Sequence, residues 1–346
     1  MSTRPPEPGD SEEVLARELA QVELQIGELR RIGATQPVDL LDQIRVLETR
    51  AAELREAIAR NPSPWQTVQL ARHPGRPRID AYIAALATEF VELRGDRAFR
   101  DDPAIVAGLG LVDGRPVAIV GHAKGRDTRE NIARNFGMPG PEGYRKALRV
   151  MRLAEKLGGA VVSLIDTPGA FPGKEAEERG QSEAIARCLL EMTRLRAPIV
   201  AVVTGEGGSG GALAIGVGDV VLMLQHSVYS VISPEGCAAI LWRDGARSRD
   251  AARALRITAH DLHALGLVDE IIPEPPGGAH VHPEAAVAAV AEAVRRHLAR
   301  LAGRAGEELL AARYAKYRRI GRFQELPGET EGERLGDTPV PGGPGA

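Results

Sequence analysis

Five of the seven residues from Gly205 to Gly211 are glycine, within Thr204-Gly205-Glu206-Gly207-Gly208-Ser209-Gly210-Gly211-Ala212. The run follows an apolar β-branched stretch, Ile199 to Val203, and leads into small residues, Ala212 to Val217, that read as a helix. A strand entering a helix through glycines leaves the first helical N–H groups bare, with no side chain shielding them. Such a place attracts a phosphate or a developing oxyanion. A second candidate is Asp166-Thr167-Pro168-Gly169-Ala170, just past the buried run Val161 to Ile165. Ligands of parallel sheets gather at such strand ends. Its plain alternative is a type II turn, Pro then Gly.

The residues discriminate among these chemistries. A P-loop ends in Gly-Lys-Ser/Thr so that lysine meets the terminal phosphates. Here the loop ends in Gly-Gly-Ala, and the nearest Gly-Lys pair, Gly173-Lys174, is followed by Glu175. Gly207-Gly208-Ser209-Gly210-Gly211 formally fits a nucleophile elbow. The elbow needs a histidine and an acid, yet Asp219, His226, His260 and His263 sit in no context that marks a triad. An oxyanion hole asks only for backbone donors, each worth about 3–4 kcal/mol when well aimed. Lys124, Arg126, Arg129 and Arg134 follow another strand and suit a carboxylate or phosphate, or simply a solvated face. Glu206 and Glu235 are the obvious carboxylate pair for hydration chemistry. From these residues alone, an oxyanion hole and close helix–strand packing by glycine both remain open.

Alternating elements must position these groups. Ile105 to Val112 and Pro116 to His122 are β-rich and separated by Asp113-Gly114, a hairpin turn. Tyr144 to Leu157, Ala176 to Leu195, Pro234 to Leu241, Ser248 to Leu255 and Ala259 to Leu265 read as helices. Val220 to Leu224, Val228 to Ile232 and Val268 to Ile272 read as strands. The alternation predicts an α/β fold, a largely parallel sheet covered by helices. Upstream, apolar residues at 15, 19, 22, 26 and 29, then Leu40, Ile44, Leu47, Ala51, Leu54 and Ile58, make two amphipathic stripes. They form an antiparallel hairpin that must pack on the main body or on another subunit. The division is a disordered leader at 1–10, the hairpin at 11–60 and a linker at 61–75. The main domain spans 76–302, with a C-terminal helix at 303–322 and a disordered tail at 323–346.

Composition closes off other classes. The 346 residues carry a net charge of −3 and 3% aromatics, which offers neither a basic field nor a base-stacking platform for nucleic acid. No apolar run approaches the ~20 residues of a membrane span. Two cysteines, Cys188 and Cys237, are too few for a zinc ribbon and suit a reducing compartment. The expected location is the cytoplasm.

Long unbroken strings then point to a family. They are Arg134-Asn135-Phe136-Gly137-Met138-Pro139, Pro141-Glu142-Gly143-Tyr144-Arg145-Lys146-Ala147, Asp166 to Ala170, Glu177 to Ala186, Gly205 to Gly216, Ser230 to Ala238, and Ile272-Pro273-Glu274-Pro275. Together they resemble the carboxyltransferase α subunit of bacterial acetyl-CoA carboxylase, from the helical hairpin to about residue 320. The resemblance implies a crotonase-like spiral of ββα units and an acetyl-CoA carboxytransferase. It implies carboxyl transfer from carboxybiotin, delivered by the biotin carboxyl carrier protein, to acetyl-CoA, giving malonyl-CoA for fatty acid synthesis. It further implies a β subunit in an α2β2 assembly, which carries the zinc, and a biotin carboxylase upstream. On that basis Gly207 and Gly208 are expected to hold the biotin ureido oxygen, with Gly169 and Ala170 lining the same pocket. Lys124 or Arg126 is expected to hold the migrating carboxylate, with Ser209 and Gly210 beside the substrate and no metal on this chain.

Overall fold

Strand Ile199–Gly208 (β5) alternates its side chains between two buried faces, and that alternation sets the layers. Ile199, Ala201 and Val203 pack into one apolar cluster, with Ile105, Tyr144, Met151, Cys188 and Met192. Val200 and Val202 pack into another, with Ile79, Tyr82, Leu164, Val290 and Val294. Both faces of the sheet are thus covered by helices, as a parallel sheet requires. The computed structural model describes residues 18, 21–31, 40–60 and 62–321. The expected leader and tail lie outside these residues.

Among the described residues the sheet has eight strands, numbered in chain order and arranged β1-β2-β3-β4-β5-β6-β8, with β7 joined to the far end of β5. Thr88–Glu92 (β1), Ile105–Val112 (β2) and Arg115–His122 (β3) are antiparallel. Asp113 and Gly114 both take positive φ, 49° and 74°, as a two-residue type I′ hairpin demands. Ala160–Thr167 (β4), β5, Val220–Leu224 (β6) and Glu270–Ile272 (β8) continue from β3 in parallel. Val228–Ser230 (β7) pairs in parallel with Glu206, Gly207 and Gly208. The helix Pro141–Lys156 covers β2, β3 and β4, and Gln181–Arg194 packs beside it. Ile79–Leu86 and Pro283–Leu301 cover the opposite face.

Several expectations need correction. Residues 61–75 are not a bare linker, because Pro64–Ala71 is a helix. Ser63 caps it in a full capping box with Gln66, and Pro64 opens it. Helices are also found at Ile79–Leu86 and Thr128–Ala133, and β1 at Thr88–Glu92, where no element was predicted. The single helix expected from Ala176 to Leu195 is two, Lys174–Glu178 and Gln181–Arg194, divided at Gly180 with φ 82°. Within the described residues the two N-terminal stripes lie on helices at 21–31 and Leu41–Arg60, sharing a small core of Val22, Ala51 and Leu54, while positions 15 and 19 lie outside those residues. The C-terminal helix Gly306–Arg318 docks through Arg313, whose side chain is 1% exposed. Its guanidinium meets Asp219 at 2.9 Å and donates to the carbonyls of Met192, Leu195 and Ala197.

Candidate functional site

The C-terminal ends of β3, β4 and β5 bring the two glycine-bearing segments together. Strand β5 does not stop at Val203 as its apolar run suggests. It continues to Gly208 because β7 supplies a partner for its last three residues. Gly207 lies between Thr167 and Tyr229. Gly207 and Gly208 are therefore the end of a strand, not the start of a helix. The helix that follows, Ser209–Leu213, has only five residues, so its dipole is slight and any donor power rests on individual N–H groups.

Three glycines permit this approach. A Cβ on Gly208 would lie 2.1 Å from the Pro168 carbonyl oxygen, and one on Gly211 would lie 2.4 Å from the Ala170 nitrogen. One on Gly205 would meet Asp166 Oδ1 at 2.4 Å. Backbone thus packs on backbone where any side chain would hold the segments apart. Gly169 serves a different need, with φ 156° and open space around it. Thr167 braces this turn. Its Oγ1 donates to the Gly169 carbonyl at 2.7 Å and accepts the Gly169 N–H at 3.1 Å. The Gly169 N–H expected to line an oxyanion hole is therefore engaged, and the Ala170 N–H beside Gly211 is the donor the turn has left. Ser209 takes φ 52°, a left-handed conformation unusual for a side-chain-bearing residue.

Charges surround the segment in a linked row. Lys124 Nζ donates to Asp166 Oδ1 at 2.7 Å and to Glu206 Oε2 at 3.0 Å, with 22% of its side chain exposed. Burial disfavours the Lys124 ammonium, but the two carboxylates outweigh it and raise its pKa. Arg72 continues the row, donating from Nε to Glu206 at 2.7 Å and from Nη1 to Glu235 at 2.5 Å. Burial likewise works against the Glu235 carboxylate, and Arg72 overrides it, so its pKa is lowered. A hydratase's general acid needs the reverse shift. The two carboxylates singled out from the sequence are thus brought together, but as ligands of one guanidinium.

The other predicted cation stands apart. Arg126 is 66% exposed at its side chain and pairs with Asp80 at 2.5 Å. It lines a groove of about 480 Å³ with Arg78, Lys124, Arg134, Ile83 and Phe90. Lys124 is the residue common to this groove and the glycine segment. Ser209 has no histidine partner among the described residues, and His226 faces Glu274 instead. The described residues contain no group of three or more His, Cys, Asp or Glu placed to hold a metal, and no helix long and apolar enough to cross a membrane.

Sequence reasoning missed a second buried ion pair. Arg76 and Glu274 meet at 2.7 Å, with 3% and 0% of their side chains exposed. Arg76 also donates from Nε and Nη2 to the Thr204 carbonyl at 3.1 and 2.9 Å. Glu274 accepts the backbone N–H groups of His226 and Ala279 at 3.0 and 2.6 Å. A sequence separation of 198 residues between Arg76 and Glu274 leaves no local signal for this contact.

Residues 14–321 match the family described as acetyl co-enzyme A carboxylase carboxyltransferase-like. The chain is 54% identical over 306 residues to the acetyl-coenzyme A carboxylase carboxyl transferase subunit alpha of Halorhodospira halophila, covering 88% of this chain and 96% of that protein. It is 53% identical over 309 residues to the Geobacillus kaustophilus protein of the same name, covering 89% and 95%. Among solved structures it is similar to a chain of a Pseudomonas malonate decarboxylase hetero-tetramer in complex with coenzyme A. That match has a TM-score of 0.54 and 20% identity, over 69% of this chain and 96% of the other. A transcarboxylase 12S core with methylmalonyl-coenzyme A bound matches with a TM-score of 0.52 and 20% identity, over 73% of this chain and 43% of the other.

Proposed function

This chain belongs to the acetyl-CoA carboxylase carboxyltransferase family, as an α subunit with the crotonase-like fold, and from that membership we propose how it performs carboxyl transfer. The chain moves the carboxyl group of carboxybiotin, presented by a biotin carboxyl carrier protein, to acetyl-CoA, and malonyl-CoA results. A biotin carboxylase recharges the carrier. The site is completed by a β subunit in an α2β2 assembly in the cytoplasm, and the zinc belongs to that subunit.

Transfer creates two oxyanions, an enolate on the acetyl thioester and a charged ureido oxygen on biotin. Neither needs a side chain with a tuned pKa if the ureido nitrogen that releases CO₂ takes the methyl proton. Backbone donors suffice, and each removed donor costs about 10²–10³ in rate in comparable holes. One observation carries this reading: the Pro168–Ala170 turn and the Gly207–Gly211 segment touch backbone to backbone at the strand ends. On this reading the Ala170 N–H and the first N–H groups of the short helix take the biotin oxygen there, while the Gly208 N–H belongs to the pairing with Thr167. Gly207 sets them from within the strand, and Gly169 gives the turn its shape. Lys124 already serves two carboxylates, so it holds the segment. Arg126, with spare donors on the groove, takes the substrate's carboxylate, and Ser209 and Gly210 meet the substrate from the glycine segment.

The test is co-expression with the zinc-ribbon β subunit and assay of malonyl-CoA decarboxylation in the presence of biocytin. The complex is expected to release CO₂ in a biocytin-dependent way, and each subunit alone is expected to be inactive. Biocytin-independent hydration of crotonyl-CoA by this chain alone would overturn the reading.

A further inference from the structure

The register between β4 and β5 slips at the point where the glycine segment begins. Ile165 faces Val203 and Thr167 faces Gly207, so Asp166 alone stands opposite Thr204, Gly205 and Glu206. Extra residues in one strand leave ladder groups without sheet partners, and other groups must take them. Here three of these groups are met by side chains. The Glu206 N–H donates to Asp166 Oδ1 at 2.9 Å, and the Thr204 carbonyl accepts from Arg76. Thr204 Oγ1 donates to the Ile165 carbonyl at 3.2 Å. Lys124 Nζ reaches the same Asp166 oxygen at 2.7 Å and ties it to the Glu206 carboxylate at 3.0 Å. Gly205 has no room for a side chain because Asp166 occupies that space.

We infer that the Asp166 carboxylate, locked by Lys124, is a positioning residue for carboxyl transfer, fixing the β5 bulge and so the seat of Gly207–Gly211 over the Pro168 turn. The inference rests on the proposed reading of that site. Asp166 acts through backbone it holds in place. Arg76 and Glu274 hold the opposite side of the bulge. Loss of the Asp166 charge loosens Lys124, which Glu206 still holds, and lets the bulge relax, which moves the donors while Arg126 and the rest of the groove stay in place.

The test uses the co-expressed α–β complex carrying Asp166→Asn, which keeps an acceptor oxygen but removes the charge. Since a shift of about 1 Å costs up to about 10²-fold, kcat for biocytin-dependent decarboxylation is expected to fall at least about tenfold. KM for malonyl-CoA is expected to stay within about twofold. Lys124→Met added to that variant should change kcat by less than about twofold further, because both residues act through one clamp. A product of two independent losses overturns the inference, as does a raised KM with kcat intact. Glu206→Gln, which weakens the pairs with Lys124 and Arg72 but leaves the Asp166 carboxylate in place, is the milder variant and carries the test if Asp166→Asn does not assemble. It should lower kcat by about threefold at unchanged KM, and an unchanged kcat counts against the clamp. Amide exchange across residues 204–208 reads the clamp without activity, and should quicken at least about tenfold in Asp166→Asn. Unchanged exchange overturns the inference, whereas an inactive wild-type complex overturns only the carboxyl-transfer reading.

Discussion

A single methyl group at Gly208 tests whether the glycine segment works through close approach. The Cβ of Gly208→Ala would lie 2.1 Å from the Pro168 carbonyl oxygen and 2.3 Å from its carbon. Both are backbone atoms of a braced turn, so no side chain can swing aside. The gap must open by about 1 Å, an overpacking strain of roughly 1–3 kcal/mol. That strain corresponds to a fall in Tm of roughly 1–4 °C for a chain of this length. A displacement of about 1 Å at the donors costs about 10²-fold in turnover. Gly210 is the internal comparison, since a Cβ there meets nothing nearer than Ile185 Cδ1 at 3.7 Å. Gly210→Ala adds helix propensity of roughly 0.5–1 kcal/mol and should lose only a few-fold in turnover. The assay is biocytin-dependent malonyl-CoA decarboxylation by the α–β complex, with melting curves on the same samples. Wild-type turnover in Gly208→Ala, or equal damage from both substitutions, would refute the steric argument.

Gly169→Ala separates conformation from space. The site is open but φ is 156°, so the expected strain is of order 1–3 kcal/mol, seen as a lowered melting temperature with lowered turnover. Acid should destabilise the fold in two stages. Burial pulls the His122 imidazole down to about 3 from 6.5. Burial also opposes the Glu274 carboxylate, but His226 and Arg76 outweigh it and hold Glu274 at about 2 against 4.5. In both cases the unfolded chain binds the proton more readily, so stability falls as pH falls. His122 contributes to the fall from about 6.5 to 3 and Glu274 from about 4.5 to 2, each by at most about 1.4 kcal/mol per pH unit. Urea unfolding at pH 8, 7, 6 and 5 should show a plateau and then a decline, and a flat profile would contradict the burial argument. Finally, a fluorophosphonate should leave Ser209 unlabelled under conditions that label a serine hydrolase fully, because no histidine activates it. Mass spectrometry of the treated chain decides this.

Legibility tracked the range of the physics. The cores of β4, β5 and β6 and the Asp113-Gly114 hairpin follow from β-branched runs and turn chemistry confined to a few residues. Helix Pro64–Ala71 was readable too, because Ser63, Pro64 and Gln66 spell a capping box and an N1 proline. Density of prolines in that stretch masked it. The end of β5 was not readable, since Glu206, Gly207 and Gly208 have poor strand propensity and pair only because β7 arrives from further along the chain. The same holds for the ion pairs. Lys124 lies 42 residues from Asp166 and 82 from Glu206, and no periodicity encodes such distances.

The choice left open by the residues alone, donor site or close packing, dissolves once the glycines are taken one at a time. Gly205, Gly208 and Gly211 are required because Asp166, Pro168 and Ala170 sit where their side chains would be. Gly169 is required for its backbone angle, and Gly210 for neither reason. Packing that removes side chains from a strand end is also what leaves N–H groups accessible to an oxyanion, since nothing else can stand in front of them. Packing and donation are therefore one arrangement viewed from two sides. Turnover and stability should then fall together at Gly208 and diverge at Asp166, where charge and register change but no atom is crowded.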